Sequence, residues 1–354
     1  METKIESNKL IYRADALERF CATVFEKLGL SQNDAQVAAS ALVAANLRGV
    51  DTHGVLRMPF YAAKLRQGYV NPKVELKPLR ETSGTALMDG QNSLGQVVAY
   101  RAMEKAIEKA GVSGISYVAV RNSNHFGTCA YFAMMAIPRD MIGIAITNGQ
   151  AHLAPTGGVT KLLGNNPWSI AVPAGRRLPV VLDMANSVAA MGKVRSAIKE
   201  GKPTIPGDWA LNSEGEPTTD PQEALHGILL PVGGYKGYGI TLVMDLLSGV
   251  LADSAFGPRV KGTDTVAAVA GVGHAFLAVK IAAFDDVAAF KSRMDGYIDE
   301  IKGTPKAKGV TEIYLPGELE FLKERERREK GIPLPSRVVE ELLTVGKETG
   351  VSLE

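Results

Sequence analysis

Cysteine is scarce in this chain, which has two cysteines, Cys21 and Cys129, among 354 residues. Their separation fits neither a metal-ligand pair nor a disulfide framework, so no metal site is predicted. Cys21 falls on the apolar stripe of the first predicted helix, and we expect it in the core. The N-terminal sequence METKIESNKL has no apolar core of the kind found in signal peptides. Together with the few cysteines, this leads us to expect a cytoplasmic protein.

The chain also has little net charge and no long apolar run. The 40 basic and 38 acidic residues leave a net charge of +2, so we expect no nucleic-acid partner. No uninterrupted apolar run approaches the ~18 residues of a membrane-spanning helix, so no membrane association is expected. The most charged segment, residues 323–330 (KERERREK), alternates in sign and is typical of a solvated helix face.

Apolar periodicity predicts an α/β fold with a helical N-terminal segment and a charged helical C-terminal tail. Ser93 and Gln96 form a predicted capping box for a helix that Gly111 closes. The helix predicted at 237–251 is apolar on nearly all sides and is therefore expected to be deeply buried. The other predicted elements are helices at 14–28, 34–47, 55–65 and 286–301, strands at 115–120, 142–147, 169–172, 179–182 and 274–281, a long loop at 255–273 and a helical tail from about 318.

The segment Arg48–Arg57 (RGVDTHGVLR) gathers an imidazole, two guanidiniums, a carboxylate and a hydroxyl within a short stretch. Asp51 or Thr52 can cap the helix that follows. His53 would then lie beside a helix N-terminus, where the helix dipole disfavours imidazolium and keeps a neutral base available. Arg57, four residues later, would project from the same face. A base beside a guanidinium suits a small hydroxy acid. The alternative without a function is a capped helix with a surface histidine and salt-bridged arginines.

The usual phosphate-binding and dinucleotide-binding loops are not present in the sequence. The segment Gly234–Gly239 (GYKGYG) lacks the frame ending in Lys-Ser/Thr of a P-loop. Gly271-Val-Gly273 leads into a strand, and Phe276 stands where the dinucleotide fingerprint needs a small residue. Any nucleotide must therefore be bound by a different architecture.

Polar and glycine-rich loops follow several predicted strands. The loop Asn122–Gly127 comes directly after the strand 115–120, at a position where α/β proteins gather ligand groups. His125 in this loop can accept a proton or donate to a ligand, or it can simply brace the loop. The turn-rich segments 147–158 and 164–167 offer backbone amides to a closely approaching cofactor, although such segments alone are more often ordinary loops.

Three charged residues occupy further suggestive positions. Asp183 ends an apolar strand, where a carboxylate can accept a hydrogen bond from a ribose hydroxyl or cap a helix. Lys193 lies ten residues later and can donate to a substrate oxygen. Lys236 precedes a predicted helix N-terminus and can face a phosphate. The turn Pro316–Glu318 opens the charged terminal helix.

Eight motifs in order along the chain resemble those of the malate/lactate dehydrogenase family, which also contains ureidoglycolate dehydrogenases and related imine and diketogulonate reductases. The motifs are DTHGVLRM, NSNHFG, TNG to APTGG, GNNPWS, LDMA, GKV, LPVGGYKGYG and LPGE. Each is weak alone, but together they cover residues 10–340. The resemblance implies an NAD(P)-dependent enzyme, usually a homodimer, with a non-Rossmann cofactor domain and a mixed sheet. It divides the chain into a helical and α/β scaffold (1–120), a cofactor-binding domain (121–280) and a return to the scaffold (281–354).

The resemblance also implies roles for single residues. Thr52, His53 and Arg57 match the relay, proton-transfer and substrate-carboxylate positions of the family. His125 matches a position that other members use as proton acceptor and that also contacts the cofactor, so both imidazoles are candidates for proton transfer. Asn165 matches a substrate-side position. The implied cofactor contacts are His125, Gly149, Asp183, Met184, Ala185, Lys236, Pro316, Gly317 and Glu318.

Two departures from the family pattern affect the predicted activity. Gly149 stands where the family often has Ser, which leaves only backbone contacts to the cofactor there. Lys193 replaces an Asp of the imine reductases and therefore favours a hydroxy-acid substrate. Arg57, with Arg48 as a second candidate, would bind the substrate carboxylate, and Lys193 or Asn165 would stabilise the developing carbonyl oxygen.

We therefore predict reversible hydride transfer between NAD, with NADP as an alternative, and a small 2-hydroxy acid. Malate and lactate are the first candidates, and a second carboxylate site at Arg48 favours malate. The alternatives are ureidoglycolate dehydrogenation, NADPH-dependent reduction of cyclic imines or 2,3-diketo acids, and a non-catalytic binding protein on the same fold.

Overall fold

The computed structural model describes residues 9–263 and 265–354, and over these residues strands alternate with helices through most of the chain. The predicted α/β class with a mixed sheet is confirmed. The strands are β1 (Lys9–Tyr12), β2 (Pro78–Glu81), β3 (Thr85–Asp89), β4 (Ile115–Ser123), β5 (Met141–Thr147), β6 (Trp168–Val172), β7 (Val180–Met184), β8 (Ala210–Leu211), β9 (Pro217–Thr218), β10 (Ile228–Leu229), β11 (Val272–Lys280) and β12 (Ile332–Pro335).

The helices enclose the sheet and form the N- and C-terminal parts of the described chain. In residues 9–263 and 265–354, none of them is both long enough and apolar enough to cross a bilayer. They are α1 (Ala14–Lys27), α2 (Gln32–Leu47), α3 (Met58–Arg66), α4 (Gly95–Ser113), α5 (Cys129–Ala133), α6 (Met191–Lys199), α7 (Pro221–His226), α8 (Tyr235–Asp245), α9 (Val287–Gly303), α10 (Glu318–Lys330) and α11 (Ser336–Thr349).

Seven strands form one mixed sheet in the order β2-β3-β4-β11-β5-β6-β7. Within it β3 and β4 are parallel and are connected by helix α4, and every other neighbouring pair is antiparallel. This differs from the parallel, doubly wound sheet of a Rossmann domain. Residue 120 lies inside β4, so the domain boundary predicted there falls within a strand and not in a linker. The three-part division otherwise stays a prediction.

Two large apolar clusters stabilise the fold. The first packs helices α1, α2, α3 and α11 against one another, with Leu17, Phe25, Leu42 and Leu342 among its members and Cys21 fully buried, as predicted. The second fills the space between the large sheet and helices α4 and α5. A smaller cluster beneath α6 and α7 includes Val194 and Leu229.

The predictions for the two ends of α4 were wrong. The Ser93 hydroxyl donates to the Asn71 carbonyl oxygen at 2.8 Å and caps nothing, because α4 begins two residues later at Gly95. At the other end the helix passes Gly111 and ends after Ser113, where Gly114 adopts a positive φ of 83°. A glycine with positive φ closes a helix without steric cost, and here that glycine is Gly114.

The expectation that the helix at 237–251 is deeply buried was also wrong. Helix α8 passes into a π-helical turn, Leu246–Val250, and its buried side consists mainly of small and polar residues. Several large apolar side chains on its outer side are exposed instead: Val243 by 46%, Leu246 by 45%, Val250 by 46% and Leu251 by 60%. The helix therefore has a second apolar face that the described residues 9–263 and 265–354 do not cover.

One edge of the sheet gathers three chain segments. Both β4 and β5 are antiparallel to β11, so β4 and β5 end at the same edge, where β11 begins. The loops after β4 and after β5 therefore leave the sheet side by side. His274, near the start of β11, lies between Val120 and Thr147 in this register.

The buried His274 joins the three strands through a directed chain of hydrogen bonds. Its Nδ1 lies 2.8 Å from Thr147 Oγ1 and its Nε2 lies 2.8 Å from Ser123 Oγ. The Thr147 hydroxyl donates its proton to a carbonyl oxygen of Asn148 or Gly273, so it accepts from His274 Nδ1–H, and Nε2 accepts from Ser123. Burial lowers the pKa of His274 to about 3.

We expect the neutral state of His274 to make stability pH-dependent. The unfolded histidine has an ordinary pKa near 6.5 and the folded one about 3, so its contribution is complete above pH 6.5 and is lost as pH falls toward 3. A single such group changes the free energy of unfolding by up to about 1.4 kcal/mol per pH unit. In urea unfolding, the stability difference between wild type and His274→Gln should shrink between pH 7 and pH 5. A constant difference would contradict this, and His226→Gln, at an exposed position, is the control.

Candidate active site

The segment between α2 and α3 forms two 3₁₀ turns, Asp51–His53 and Val55–Arg57, where a helix from residue 55 was predicted. The α-helix begins only at Met58, with a proline in its first turn. His53 therefore does not lie beside an α-helix N-terminus, and Arg57 does not follow it on one helical face. Neither Asp51 nor Thr52 caps a helix.

The side chain of Asn46 explains this local structure. Its Oδ1 accepts the Val55 backbone N–H at 2.8 Å, and its Nδ2 donates to Asp51 Oδ1 at 2.6 Å. Arg327, from α10, donates to both carboxylate oxygens of Asp51 at 2.7 and 3.0 Å and also to the Asn46 carbonyl oxygen. A Cβ on Gly54 would lie 2.1 Å from Asn46 Oδ1, so only glycine fits there.

The two histidines of the sequence prediction stack against each other. The ring centroids of His53 and His125 lie 5.5 Å apart with an interplanar angle of 24°. His53 Nδ1 lies 2.9 Å from Thr52 Oγ1, and His125 Nδ1 lies 2.6 Å from Tyr61 Oη. Burial raises the pKa of Tyr61 to about 12, so it stays a phenol at neutral pH. In each imidazole, Nδ1 is within hydrogen-bond distance of a hydroxyl group. If Nδ1 donates to that hydroxyl, Nε2 is an acceptor, and if Nδ1 accepts from it, Nε2 is a donor.

Both imidazoles line one cavity of about 140 Å³ at the sheet edge described above. Of the other sequence-predicted residues, Arg57, Gly149 and Asn165 line the same cavity. The Gly149 N–H donates to Asn166 Oδ1 at 3.0 Å, and the Arg57 Nε donates to the Thr52 carbonyl oxygen at 3.3 Å. Imidazole, guanidinium and amide groups from distant parts of the chain thus converge on one small space.

A second cavity, of about 480 Å³, collects Arg48, Asp183, Pro316 and Gly317. Asp183 is exposed to solvent at this cavity, while the protein atoms packed around its carboxyl raise its pKa to about 6 by desolvation. The Ala130 N–H at 3.3 Å and the charge of Arg48 oppose this shift. Arg48 was predicted as a substrate-binding residue, but it lies in this cavity and not with Arg57.

The packing of Arg48 ties the second cavity to α10. Its guanidinium carbon lies 4.4 Å from the Phe321 ring centroid, and its Nη1 lies 3.7 Å from a carboxylate oxygen of Glu324. That Nη1 is buried without a hydrogen-bond partner in the described chain. Beside it, the Asp183 carboxyl is an acceptor, so the cavity offers both a donor and an acceptor to a ligand.

The two cavities meet at the loop after β4. Gly127 lines the smaller cavity and Thr128, the next residue, lines the larger one. The loop after β4 therefore contributes to both cavities. The chemistry of the larger cavity suits the ribose part of a dinucleotide, because the Asp183 carboxylate can accept hydrogen bonds from ribose hydroxyls. The described residues contain no cluster of three His, Cys, Asp or Glu side chains suited to a metal ion.

Several predicted site residues line neither cavity. Lys193 is exposed, and its Nζ lies 5.8 Å from the Trp209 ring centroid. Lys236 is exposed in the first turn of α8. The Glu318 carboxylate accepts hydrogen bonds from Lys302 Nζ and the Leu315 N–H. Met184 ends β7 beside Asp183, and Ala185 follows it.

Sequence reasoning missed four residues that contribute to the histidine-lined cavity. Tyr61 contacts His125. Its position four residues after Arg57, in the helix predicted from residue 55, would have indicated that it projects toward the same site. Arg195 lines the cavity from α6, two residues from Lys193 and on a different side of the helix. Gln150 and His152 line it from the turn-rich run after β5.

A buried lysine links α3 to the loop that lies beside this cavity. Lys64, one turn after Tyr61, is only 2% exposed, and its Nζ donates to the carbonyl oxygens of Gly262 and Ala268, both at 2.9 Å. Burial lowers the pKa of Lys64 to about 8. Thr263 of the same loop lines the cavity, so this ammonium holds the loop against the helix that carries Tyr61.

Comparison with known proteins places the chain in a family. The family model described as malate/L-lactate dehydrogenase matches residues 12–343. A malate dehydrogenase from Pyrococcus abyssi is 40% identical, over 98% of this chain and 97% of that protein. The structure of a sulfolactate dehydrogenase from Methanocaldococcus jannaschii superposes with a TM-score of 0.92 at 38% identity, covering 97% of this chain and 98% of that one.

The chain therefore belongs to the malate/L-lactate dehydrogenase family, a family of 2-hydroxy acid oxidoreductases, and the predicted family is confirmed. Its relatives' names include both NAD(+) and NADP(+), which supports a nicotinamide cofactor without separating the two forms.

The geometry at Gly149 can be tested directly. A Cβ there would have Asn165 Oδ1 as its nearest neighbour at 3.5 Å, and its backbone needs no positive φ. We expect Gly149→Ser to change the free energy of unfolding by less than about 0.5 kcal/mol. A Cβ at Gly164 would lie 2.4 Å from the Gly149 carbonyl oxygen, so Gly164→Ala should cost about 1–3 kcal/mol. Urea unfolding of both variants checks this, and equal destabilisation would contradict it.

Proposed function

We propose that this protein is an NAD(P)-dependent dehydrogenase that interconverts a small 2-hydroxy acid and the corresponding 2-oxo acid, with malate as the first candidate substrate. The observation that carries the proposal is the shared cavity, in which two imidazoles and a guanidinium meet beside a second cavity suited to a dinucleotide. The malate and sulfolactate dehydrogenases among the relatives support the same class of substrate.

A nicotinamide cofactor held by this site would supply the hydride chemistry at the substrate C2, in either direction. Arg57 would bind the C1 carboxylate through its forked donors and so orient C2. Asn165 would donate to the oxygen on C2 as its carbonyl character develops. We do not assign this role to Lys193, because its ammonium group lies beside Trp209 and away from the cavity.

Proton transfer at the substrate hydroxyl is assigned to one of the two stacked histidines. When Nδ1–H of either ring donates to its hydroxyl neighbour, Nε2 carries a lone pair and can take the substrate proton. Thr52 would set this tautomer for His53, and Tyr61 would set it for His125. The histidine that does not move the proton would orient the substrate or the cofactor.

The residues that would hold the cofactor are divided between the two cavities, with His125 and Gly149 in the histidine-lined one. Asp183 would accept from a ribose hydroxyl, and Arg48 is assigned to this side because it lines the same space. Pro316 and Gly317 would form the adjoining wall. On the family resemblance alone, Met184, Ala185, Lys236 and Glu318 stay part of this proposal. NAD remains our first choice, with NADP as the alternative.

We expect substitution of the two histidines to separate their roles. With cofactor at saturation, His53→Ala and His125→Ala are compared with wild type in oxidation of malate and reduction of the 2-oxo acid. The proton-transfer residue should lose kcat by roughly 10²–10⁴-fold, because its base is removed from the transition state. The other should chiefly raise KM.

His226→Ala, at an exposed histidine outside the cavity, is the matched control and should behave as wild type. If neither His53→Ala nor His125→Ala lowers kcat, the proton-transfer assignment is wrong. A wild-type protein that turns over no 2-hydroxy or 2-oxo acid with either cofactor would refute the proposed function itself.

We also propose that the protein is a homodimer and that it works in the cytoplasm. Support for the dimer comes from the exposed apolar side of α8 and its π turn, which adjoins a cavity lined by Leu79, Tyr117 and Leu251. Exposed apolar surface of this kind is typical of a protein interface, and a second copy of the chain would cover it. The cytoplasmic proposal is supported by two buried free thiols.

The dimer is tested with a charge placed in the apolar surface. Leu246→Lys should convert the wild-type dimer to a monomer in light scattering coupled to gel filtration, because a buried unpaired ammonium is costly at an interface. Val112→Lys, at a residue 86% exposed at the end of α4, should leave the dimer intact. A wild-type protein that stays monomeric at all concentrations would contradict the proposal.

A further inference from the structure

The histidine-lined cavity has a second guanidinium in its wall. Arg57 reaches it from the 3₁₀ turn Val55–Arg57, and Arg195 reaches it from α6. The described residues that line this cavity include no Asp or Glu. Arg195 is exposed at the protein surface. Two positively charged side chains from separate elements therefore line one small space, and the cavity suits a ligand with two negative charges.

The neighbouring surface adds to this positive potential. A cavity of about 370 Å³ shares Gln150 with the histidine-lined cavity and is lined by Lys161 and Lys261. Burial lowers the pKa of Lys161, as expected for an ammonium group partly withdrawn from water. The whole chain has a net charge of only +2, so this concentration of cations is local. Such a field raises the local concentration of an anionic substrate.

Arg195 is placed for the substrate more than for the nucleotide end of the cofactor. The residues suited to ribose, Asp183 and Gly317, line the other cavity, and Arg48 provides the guanidinium there. Gly192 precedes Arg195 by one turn of α6 and lines the same wall. With no side chain at that position, a ligand can approach α6 closely beside the guanidinium.

A 2-hydroxy acid with a single carboxylate needs one guanidinium, and Arg57 is assigned to it. We propose that Arg195 is a specificity-determining residue that binds a second acid group, a carboxylate or sulfonate carried on C3 of the substrate. This inference rests on the proposed function, which places C1 at Arg57 and C2 at the histidines. It transfers to Arg195 the second-carboxylate role that the sequence had suggested for Arg48.

The test compares substrates that differ only on C3. Malate and 3-sulfolactate carry the second acid group and lactate does not. With cofactor at saturation, Arg195→Gln should lower kcat/KM for malate and sulfolactate by about 10- to 100-fold, the effect of losing a charged hydrogen bond. The value for lactate should change by less than about 3-fold. Arg195→Lys should recover part of the loss because it keeps the charge but not the fork.

Lys199→Gln is the matched control, since it removes an exposed charge from the last turn of the same helix. It should leave all three substrates unaffected. An equal loss for malate and lactate in Arg195→Gln would overturn the proposal, as would no loss for either. A rise in the KM of NADH or NADPH without a change in substrate preference would also overturn it, because Arg195 would then bind the cofactor.

A binding measurement separates this proposal from the proposed function. Succinate has both acid groups but no 2-hydroxyl, so calorimetric titration of succinate against the full chain with NADH or NADPH reads the site without turnover. If wild type binds succinate, Arg195→Gln does not, and no 2-hydroxy acid is oxidised, the anion site stands and the proposed function fails. If malate is oxidised but Arg195→Gln binds succinate as wild type does, the proposed function stands and the Arg195 assignment fails.

Discussion

The buried amide of Asn46 is the constraint on which the arrangement of the site depends. It satisfies the Val55 N–H and one oxygen of Asp51 at once, and so it holds the chain between α2 and α3 in two 3₁₀ turns. A buried donor left without its partner costs about 1–3 kcal/mol, and loss of this amide would leave the buried Val55 N–H without its acceptor. Because His53 and Arg57 are carried by these two turns, their directions follow from the Asn46 contacts.

The same network connects the site to the far end of the chain. Arg327 forms a bidentate ion pair with Asp51, and it is 276 residues away in sequence. Its helix, α10, also provides Phe321 and Glu324, the partners of Arg48 in the larger cavity. The charged terminal helix therefore supports residues beside both cavities. Its alternating charges predicted a solvated face, but the residues directed inward brace the site.

The loops that complete the site depend on the sheet edge. His274 accepts from Ser123 and donates to Thr147, so a neutral imidazole joins β4, β11 and β5 immediately below the loops that carry His125 and Gly149. Protonation would remove the acceptor that Ser123 needs and would bury an unpaired charge. The loops thus leave the sheet from a base that stays neutral throughout the physiological pH range.

Much of this architecture could be predicted from the sequence, and the failures have physical causes. Periodicity and motif order were sufficient for the α/β class and for the meeting of His53, His125 and Arg57. Local pattern could not show that Asn46 prevents a helix at residue 55, because the deciding contact is a side-chain hydrogen bond. Nor could it show the contact of Tyr61 with His125, which spans 64 residues. Helix α8 was predicted as buried because an apolar face in the sequence does not reveal whether other residues of the chain cover it.

The three arginines considered for the site lie in two different electrostatic environments. Arg48 packs on Phe321 near Glu324 and lines the larger cavity with Asp183, so neighbouring carboxyl groups offset its charge there. Arg57 and Arg195 face the other cavity, which no described Asp or Glu lines. A neutral ligand such as the nicotinamide ring gains little from two guanidiniums, whereas a dianion gains from both. The positions of the cations therefore support the proposal of an acidic substrate with two charged ends.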